Sequence, residues 1–283
     1  MINKHIFYYC VITCLTLFLS SCESSGNEDK KSALKKIAVQ VIEYNPAPGQ
    51  FVNVYPECKS GDSYAIVLSR ANYALNNDKL VTLGSFGGYV TVKTEKPVTG
   101  KFQVAGNAIA SSAEPGIVQI SSDGKTWYTI CGEHFKETKN ITVTYTRPGE
   151  NYDDDTYIPY KTSDGVTGYV TRITEYHTQP YFPLWDTENP QTVTFTGHRL
   201  PNNSTYDSDK EMYILKSYYG YADSYPNASS MSYLDPANIV DENMNPASIQ
   251  SFTYIKVYTG VLQSSGILGE CSTEVTGFYE VVE

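Results

Sequence analysis

The strongest constraint on this chain is a change of period. Beyond residue 79, apolar and polar residues alternate in short runs: LVTL (80–83), YVTVKT (89–94), FQVAGN (102–107), GIVQIS (116–121), TWYTIC (126–131) and ITVTYT (141–146). VTGYVTRI (166–173), TVTFTG (192–197) and SFTYIKVYTG (251–260) continue the pattern. A period of two places successive side chains on opposite faces of a strand, so each run has one face to bury. Gly, Pro, Asn and Asp separate the runs. Many short strands with turn residues between them predict an antiparallel sandwich or barrel, not a parallel α/β sheet.

One short helix near the N-terminal side is predicted before the alternation begins. Asp62-Ser63 precede YAIVLSRANYALNN, in which Ile66, Val67, Arg70, Ala71 and Ala74 fall at helical spacing. Asn76-Asn77-Asp78 stop it. Two Pro- and Asp-rich stretches, 147–190 and 199–250, exceed ordinary hairpin loops and read as long, functional or partly mobile insertions from one core. No internal repeat is present.

The start of the chain carries an address. Lys4 and His5 precede an apolar run from Ile6 to Leu19. A membrane span needs about 20 apolar residues, so this shorter run fits a cleaved export signal. Leu19-Ser20-Ser21-Cys22 resembles the bacterial lipobox, in which the cysteine is acylated and becomes the new first residue. That divides the chain into a lipoprotein signal peptide (1–21), a polar tether (22–36) and a single β-sandwich domain (37–283). An acylated, palmitate-bearing Cys22 would anchor the protein in a membrane.

Three cysteines remain for the domain: Cys58, Cys131 and Cys271. Their spacing builds no zinc site. One disulfide with one thiol left over, and three unpaired buried thiols, both fit an exported chain.

Several chemistries fail on spacing. In SSDGKT (121–126), a phosphate-binding loop would need Gly at Gln119 and a helix after Thr126, where a strand follows. Asp123-Gly124 between two alternating runs is a hairpin turn. Asp241-x-Asn243-x-Asn245 begins like a calcium loop, but Pro246 and Phe252 occupy the Gly and Glu positions of an EF-hand. Asp153-Asp154-Asp155 reads as a solvated acidic loop, with an irregular calcium site as the alternative. No GxSxG or HExxH is present, and His134, His177 and His198 are isolated in sequence. The expectation is therefore a non-enzyme, without cofactor, with calcium as a candidate ion and no assigned metal ligands. A net charge of −10 excludes a nucleic-acid partner, which needs a basic face.

Tyrosine stands out, with 25 against 4 methionines. Two loop clusters, EYHTQPYFPLW (175–185) and SYYGYADSYP (217–226), put Tyr181, Trp185, Tyr219 and Tyr221 forward as ligand-stacking residues. The competing reading is that such rings cover the ends of the β-core.

Four stretches resemble one family: LGSFGGYVTVKTEKPV (83–98), KFQVAGNA (101–108), AEPGIVQISSDGKTWYTICG (113–132) and YIKVYTGVLQSSGILGECSTEV (254–275). YNPAPGQFVN (44–53) resembles its opening motif. It is the Bacteroidetes cell surface protein lipoprotein family, some of whose members are described as PKD-domain proteins. The resemblance implies a jelly-roll-like sandwich on the outer face of the outer membrane. Glu23, Glu28 and Asp29 behind Cys22 resemble that group's surface-export signal. It further implies capture of a corrinoid or glycan as an accessory to nutrient uptake, beside a transporter or another lipoprotein. A glycan-cleaving enzyme, or a structural or adhesive subunit without a small ligand, are the alternatives. Relatives carry an Asp/Asn-rich insertion at the 121–126 hairpin, which is absent here, and Asp223 stands where the family has a loop aspartate.

If Cys22 is the acylation site, Cys22→Ser abolishes incorporation of a labelled palmitate analogue and releases the protein from membranes. Undiminished labelling of the variant overturns the assignment.

Overall fold

The computed structural model describes residues 33–185 and 191–282. The expected export signal, the expected lipidation site Cys22 and most of the expected tether lie outside them. In chain order the elements are β1 (Ala33–Lys36), β2 (Val39–Asn45), α1 (Tyr64–Asn76), β3 (Val81–Thr82), β4 (Tyr89–Val98), β5 (Phe102–Ala105), β6 (Gly116–Ser121) and β7 (Tyr128–Ile130). There follow β8 (Lys139–Thr146), β9 (Ile158–Thr162), β10 (Thr167–Val170), β11 (Thr192–Arg199), β12 (Ser204–Asp207) and β13 (Met212–Leu215). The last are β14 (Tyr233–Leu234), β15 (Ile239–Val240), β16 (Pro246–Ala247), β17 (Phe252–Thr259), β18 (Glu274–Val275) and β19 (Gly277–Val282). The final four residues of the stretch read as tether are thus a strand, β1, paired to β19.

The fold is all-β, and the ladders between its strands are antiparallel. The largest sheet has seven strands in the order β16-β15-β7-β6-β17-β4-β2. A four-stranded sheet, β1-β19-β5-β14, faces it across the main core. Val90, Val92, Val118, Ile120, Ile255 and Val257 from the first meet Phe102, Val104, Leu234 and Phe278 from the second. The Phe102 and Phe252 rings lie 5.1 Å apart. Each such buried side chain contributes about 1.5–3 kcal/mol.

Helix α1 closes one side of this core. Ser63 caps it by accepting the Ile66 amide, and Val67, Ala71, Ala74 and Leu75 point inward. Ile66, expected on that face, is instead 44% exposed. Arg70 leaves the face to bind Asp62 at 2.6 Å.

A third sheet, β10-β9-β8-β11, buries Ile141, Val143, Tyr145, Ile158 and Val170 in a second core with Phe86, Tyr181 and Phe182. The two long stretches read as loops therefore hold β9 and β10, and β12 to β16. Of these, β10 falls inside the alternating run 166–173; β9 and β12 to β16 are short and lack sustained alternation, so period alone does not reveal them. The three cysteines of the domain are free.

The Gly-rich bend before β4 joins the two cores. The Ala47 amide donates to the Leu83 carbonyl at 3.0 Å, and Gly88 packs against this pair. A Cβ on Gly88 would stand 1.9 Å from the Leu83 oxygen and 2.2 Å from the Ala47 nitrogen. Gly84 is left-handed, at φ +68°. Gly88→Ala is expected to destabilise the fold by about 3 kcal/mol or more. Gly100→Ala, where nothing lies within 4 Å, should stay within about 0.5 kcal/mol. Denaturant midpoints of the two variants measure the difference.

Candidate ligand-binding groove and buried acid cluster

The sheet that builds the main core has a second face. In β17, Ile255 and Val257 enter the core, while Tyr254, Lys256 and Tyr258 alternate onto the other side. Tyr89 of β4 and Gln119 of β6 join Lys256 and Tyr258 on that side, beside the edge strand β11. Between this face and β11 runs a groove of about 1130 Å3. The Lys125–Thr129 hairpin closes one rim, and Asp241–Asn243 with Ala247 and Ser248 another.

The floor is polar and ordered. Lys256 Nζ sits 3.8 Å from the centre of the Tyr89 ring. Asn45 Nδ2 donates to the Tyr89 hydroxyl at 2.9 Å, and Gln119 Nε2 to Thr129 Oγ1 at 3.0 Å. Burial lowers the Lys256 pKa, partly offset by the charge of Glu43. The Tyr258 hydroxyl accepts the His198 amide at 3.1 Å, which fixes β11 against the sheet. Half-buried Trp127, just before β7, offers an indole to the groove.

The hairpin behaves as its sequence predicts. Gly124 is left-handed, and Asp123 Oδ1 accepts the Lys125 and Thr126 amides, both at 2.8 Å. These backbone hydrogen bonds hold the Asp123 carboxyl at a pKa of about 2. The carboxylate is thus consumed by the turn. Asp241 likewise accepts the Asn243 and Asn245 amides, at 2.9 and 2.8 Å. Asp153 caps the short 3-10 turn Asp154–Thr156 through the Asp155 amide. The acids lining the groove, Asp241 and Glu242, are neighbours on one rim.

The structure does not bring the four expected stacking residues together. Trp185 stacks on Tyr44 at 5.9 Å inside the main core. Tyr181 is fully buried in the second core, its hydroxyl accepting the Ile173 amide. Tyr221 belongs to a third cluster with Tyr218 and Tyr258 and donates to the Glu133 carbonyl at 2.7 Å. Only Tyr219 of the four is exposed, at 39%. A ring without an accessible face cannot stack on a ligand, so in this arrangement Tyr181, Trp185 and Tyr221 are packing residues. Nothing in the sequence marks Tyr89 and Lys256, because a strand's outward face cannot be told from its inward one before the sheets are placed, and Trp127 beside them carries no local signal of its own.

A second constellation lies under the sheet ends. Glu114, just before β6, Asp223, in the loop after β13, and Glu274 of β18 place carboxylate oxygens within 4.8 Å of one another. Asp223 Oδ1 accepts the Asn107 and Ala108 amides at 2.8 Å, and Oδ2 the Glu274 amide at 2.9 Å. Glu114 Oε1 accepts the Ser272 amide at 2.9 Å, and Glu274 Oε1 the Thr82 hydroxyl at 3.1 Å. Among the described residues none of the three forms a salt bridge. Burial, then the charge of Glu114, pushes Asp223 up to about 8; burial also raises Glu274 and Glu114.

The chain matches no protein-family model and no curated protein sequence.

Glu270 is a separate buried acid. Its Oε1 accepts the Gln50 amide at 2.6 Å, and its Oε2 has no protein partner. It borders a cavity of about 20 Å3, enough for about one water. Burial pushes its pKa up to about 8. An unfolded glutamate ionises at about 4.3. The folded chain therefore keeps a proton that the unfolded chain has lost. The stability from Glu270 is complete below about pH 4.3 and declines as pH rises towards 8, by at most about 1.4 kcal/mol per pH unit. Glu270→Gln keeps the acceptor for Gln50 and should flatten the fall in urea midpoint between pH 5 and 8, measured in EDTA. An unchanged slope would show that Glu270 is ionised in the folded state.

Proposed function

We propose that this protein is a lipid-anchored lipoprotein of the outer membrane, facing outward, that captures an extracellular glycan in the groove between the seven-stranded sheet and β11. The observation that carries the reading is the groove itself. It joins half-buried rings, Tyr89 on the floor and Trp127 on the rim, to amide and ammonium groups of Asn45, Gln119 and Lys256. Sugars ask for that combination: flat apolar faces for their C–H surfaces, and fixed donors and acceptors for their hydroxyls. The volume of about 1130 Å3 suits several linked rings better than one. The export signal, the lipobox-like Cys22 and the family resemblance support the location, the jelly-roll connectivity and the role in nutrient uptake. A corrinoid is the second ligand class, favoured by that resemblance alone.

Glycan-array and calorimetric binding by the full chain test the reading. Trp127→Ala should weaken the best glycan about tenfold, which is about 1.4 kcal/mol, with the melting temperature kept. Trp185→Ala should instead destabilise the fold by about 3 kcal/mol or more, because it empties the Tyr44 contact. A glycan bound equally well by the Trp127 variant removes the groove from the role. Binding to a corrinoid and to no glycan replaces the substrate class.

A further inference from the structure

We propose that Glu114, Asp223 and Glu274 form a structural calcium site. The three carboxylates come from segments far apart in sequence, yet their oxygens lie within 4.8 Å of one another. Calcium binds oxygen at about 2.3–2.6 Å, so any two oxygens on one ion lie no more than about 4.6–5.2 Å apart. All three oxygens lie within that limit of one another.

A second observation points the same way. Glu274 is 3% exposed, and its Oε2 has no N–H or hydroxyl partner although the carboxylate faces Asp223 and Glu114. A buried acceptor without a donor is costly. Glu270 also has such an oxygen, but it borders a cavity of water size, whereas Glu274 does not line that cavity. The amide groups that Asp223 and Glu114 accept leave carboxylate lone pairs free, and no lysine or arginine among the described residues pairs with the cluster.

The donor set selects the ion. All three carboxylates are hard oxygens, joined nearby by the Thr82 and Ser272 hydroxyls, 2.6 Å apart. Zinc favours nitrogen and sulfur donors. Magnesium usually retains several waters, which a buried cluster of this kind accommodates poorly. Calcium accepts six to eight irregularly placed oxygens at about 2.3–2.6 Å. The ion would tie the start of β6 to β18 and to the loop carrying Asp223, whose backbone carbonyl accepts the Glu114 amide at 2.9 Å.

The competing occupant is a proton shared between the Glu114 and Glu274 carboxyls. Elemental analysis and thermal melts of the full chain in detergent separate the two. Protein purified without chelator should carry about one calcium per chain. After EDTA treatment, calcium at about a hundred times its dissociation constant should raise the melting midpoint by about 5–10 °C. Magnesium should raise it less. Glu274→Gln should abolish the calcium-dependent rise; if that variant does not fold, Glu114→Gln at the half-buried end of the cluster carries the same readout. Absence of bound metal, together with identical melts with and without calcium, overturns the site in favour of the shared proton. An equal rise with magnesium overturns the choice of ion, and a full calcium rise in a folded variant overturns the location.

Discussion

The fold turns on strand β17. It is hydrogen-bonded to β6 on one side and β4 on the other, and its two faces carry opposite duties. Ile255 and Val257 fill the main core; Tyr254, Lys256 and Tyr258 furnish the outer face. A slip of one residue would place Lys256 in the core and Val257 in the groove, so the register of the largest sheet is set by burial. Core and candidate site are therefore two sides of one ladder.

This arrangement gives the groove a floor built on strands, with loops only at its rims. Its floor is pinned by Asn45, Tyr89, Gln119 and Lys256, which sit on adjacent strands. Its wall is the edge strand β11, held where its His198 amide meets Tyr258. Side chains on strands lose little further freedom when a ligand arrives, so polar contacts are preorganised. The long aromatic loops, which look like the binding element in sequence, spend Tyr181, Phe182, Trp185, Tyr218 and Tyr221 on closing the cores.

The buried acids are the counterweight. Asp223 and Glu274, with half-buried Glu114, gather carboxyl groups where the described residues supply backbone amides and hydroxyls but no cation. Burying charge is expensive unless it is compensated, and compensation by an ion would convert the cost into a crosslink between distant segments. Asp223 itself is left-handed, at φ +49°, where its carboxylate meets the other two.

Periodicity determined the all-β class, β6 to the residue, the capped helix from Tyr64, and the Asp123-Gly124 hairpin, because each is a local consequence of side-chain spacing or turn chemistry. The apolar run Ile6–Leu19 and the Leu19-Ser20-Ser21-Cys22 motif, on which the proposed anchor rests, are linear features of the same kind. Strands of two residues such as β14, β15 and β18 are not, since pairing with distant partners and not local pattern creates them. The site was the least legible part. Tyr181, Trp185 and Tyr221 share residue types with Tyr89 and Trp127, and only the placement of the sheets decides which rings face protein and which face water. The meeting of Glu114, Asp223 and Glu274 is likewise a product of tertiary structure: proximity across long sequence separation has no local signature, whereas alternation along a strand does.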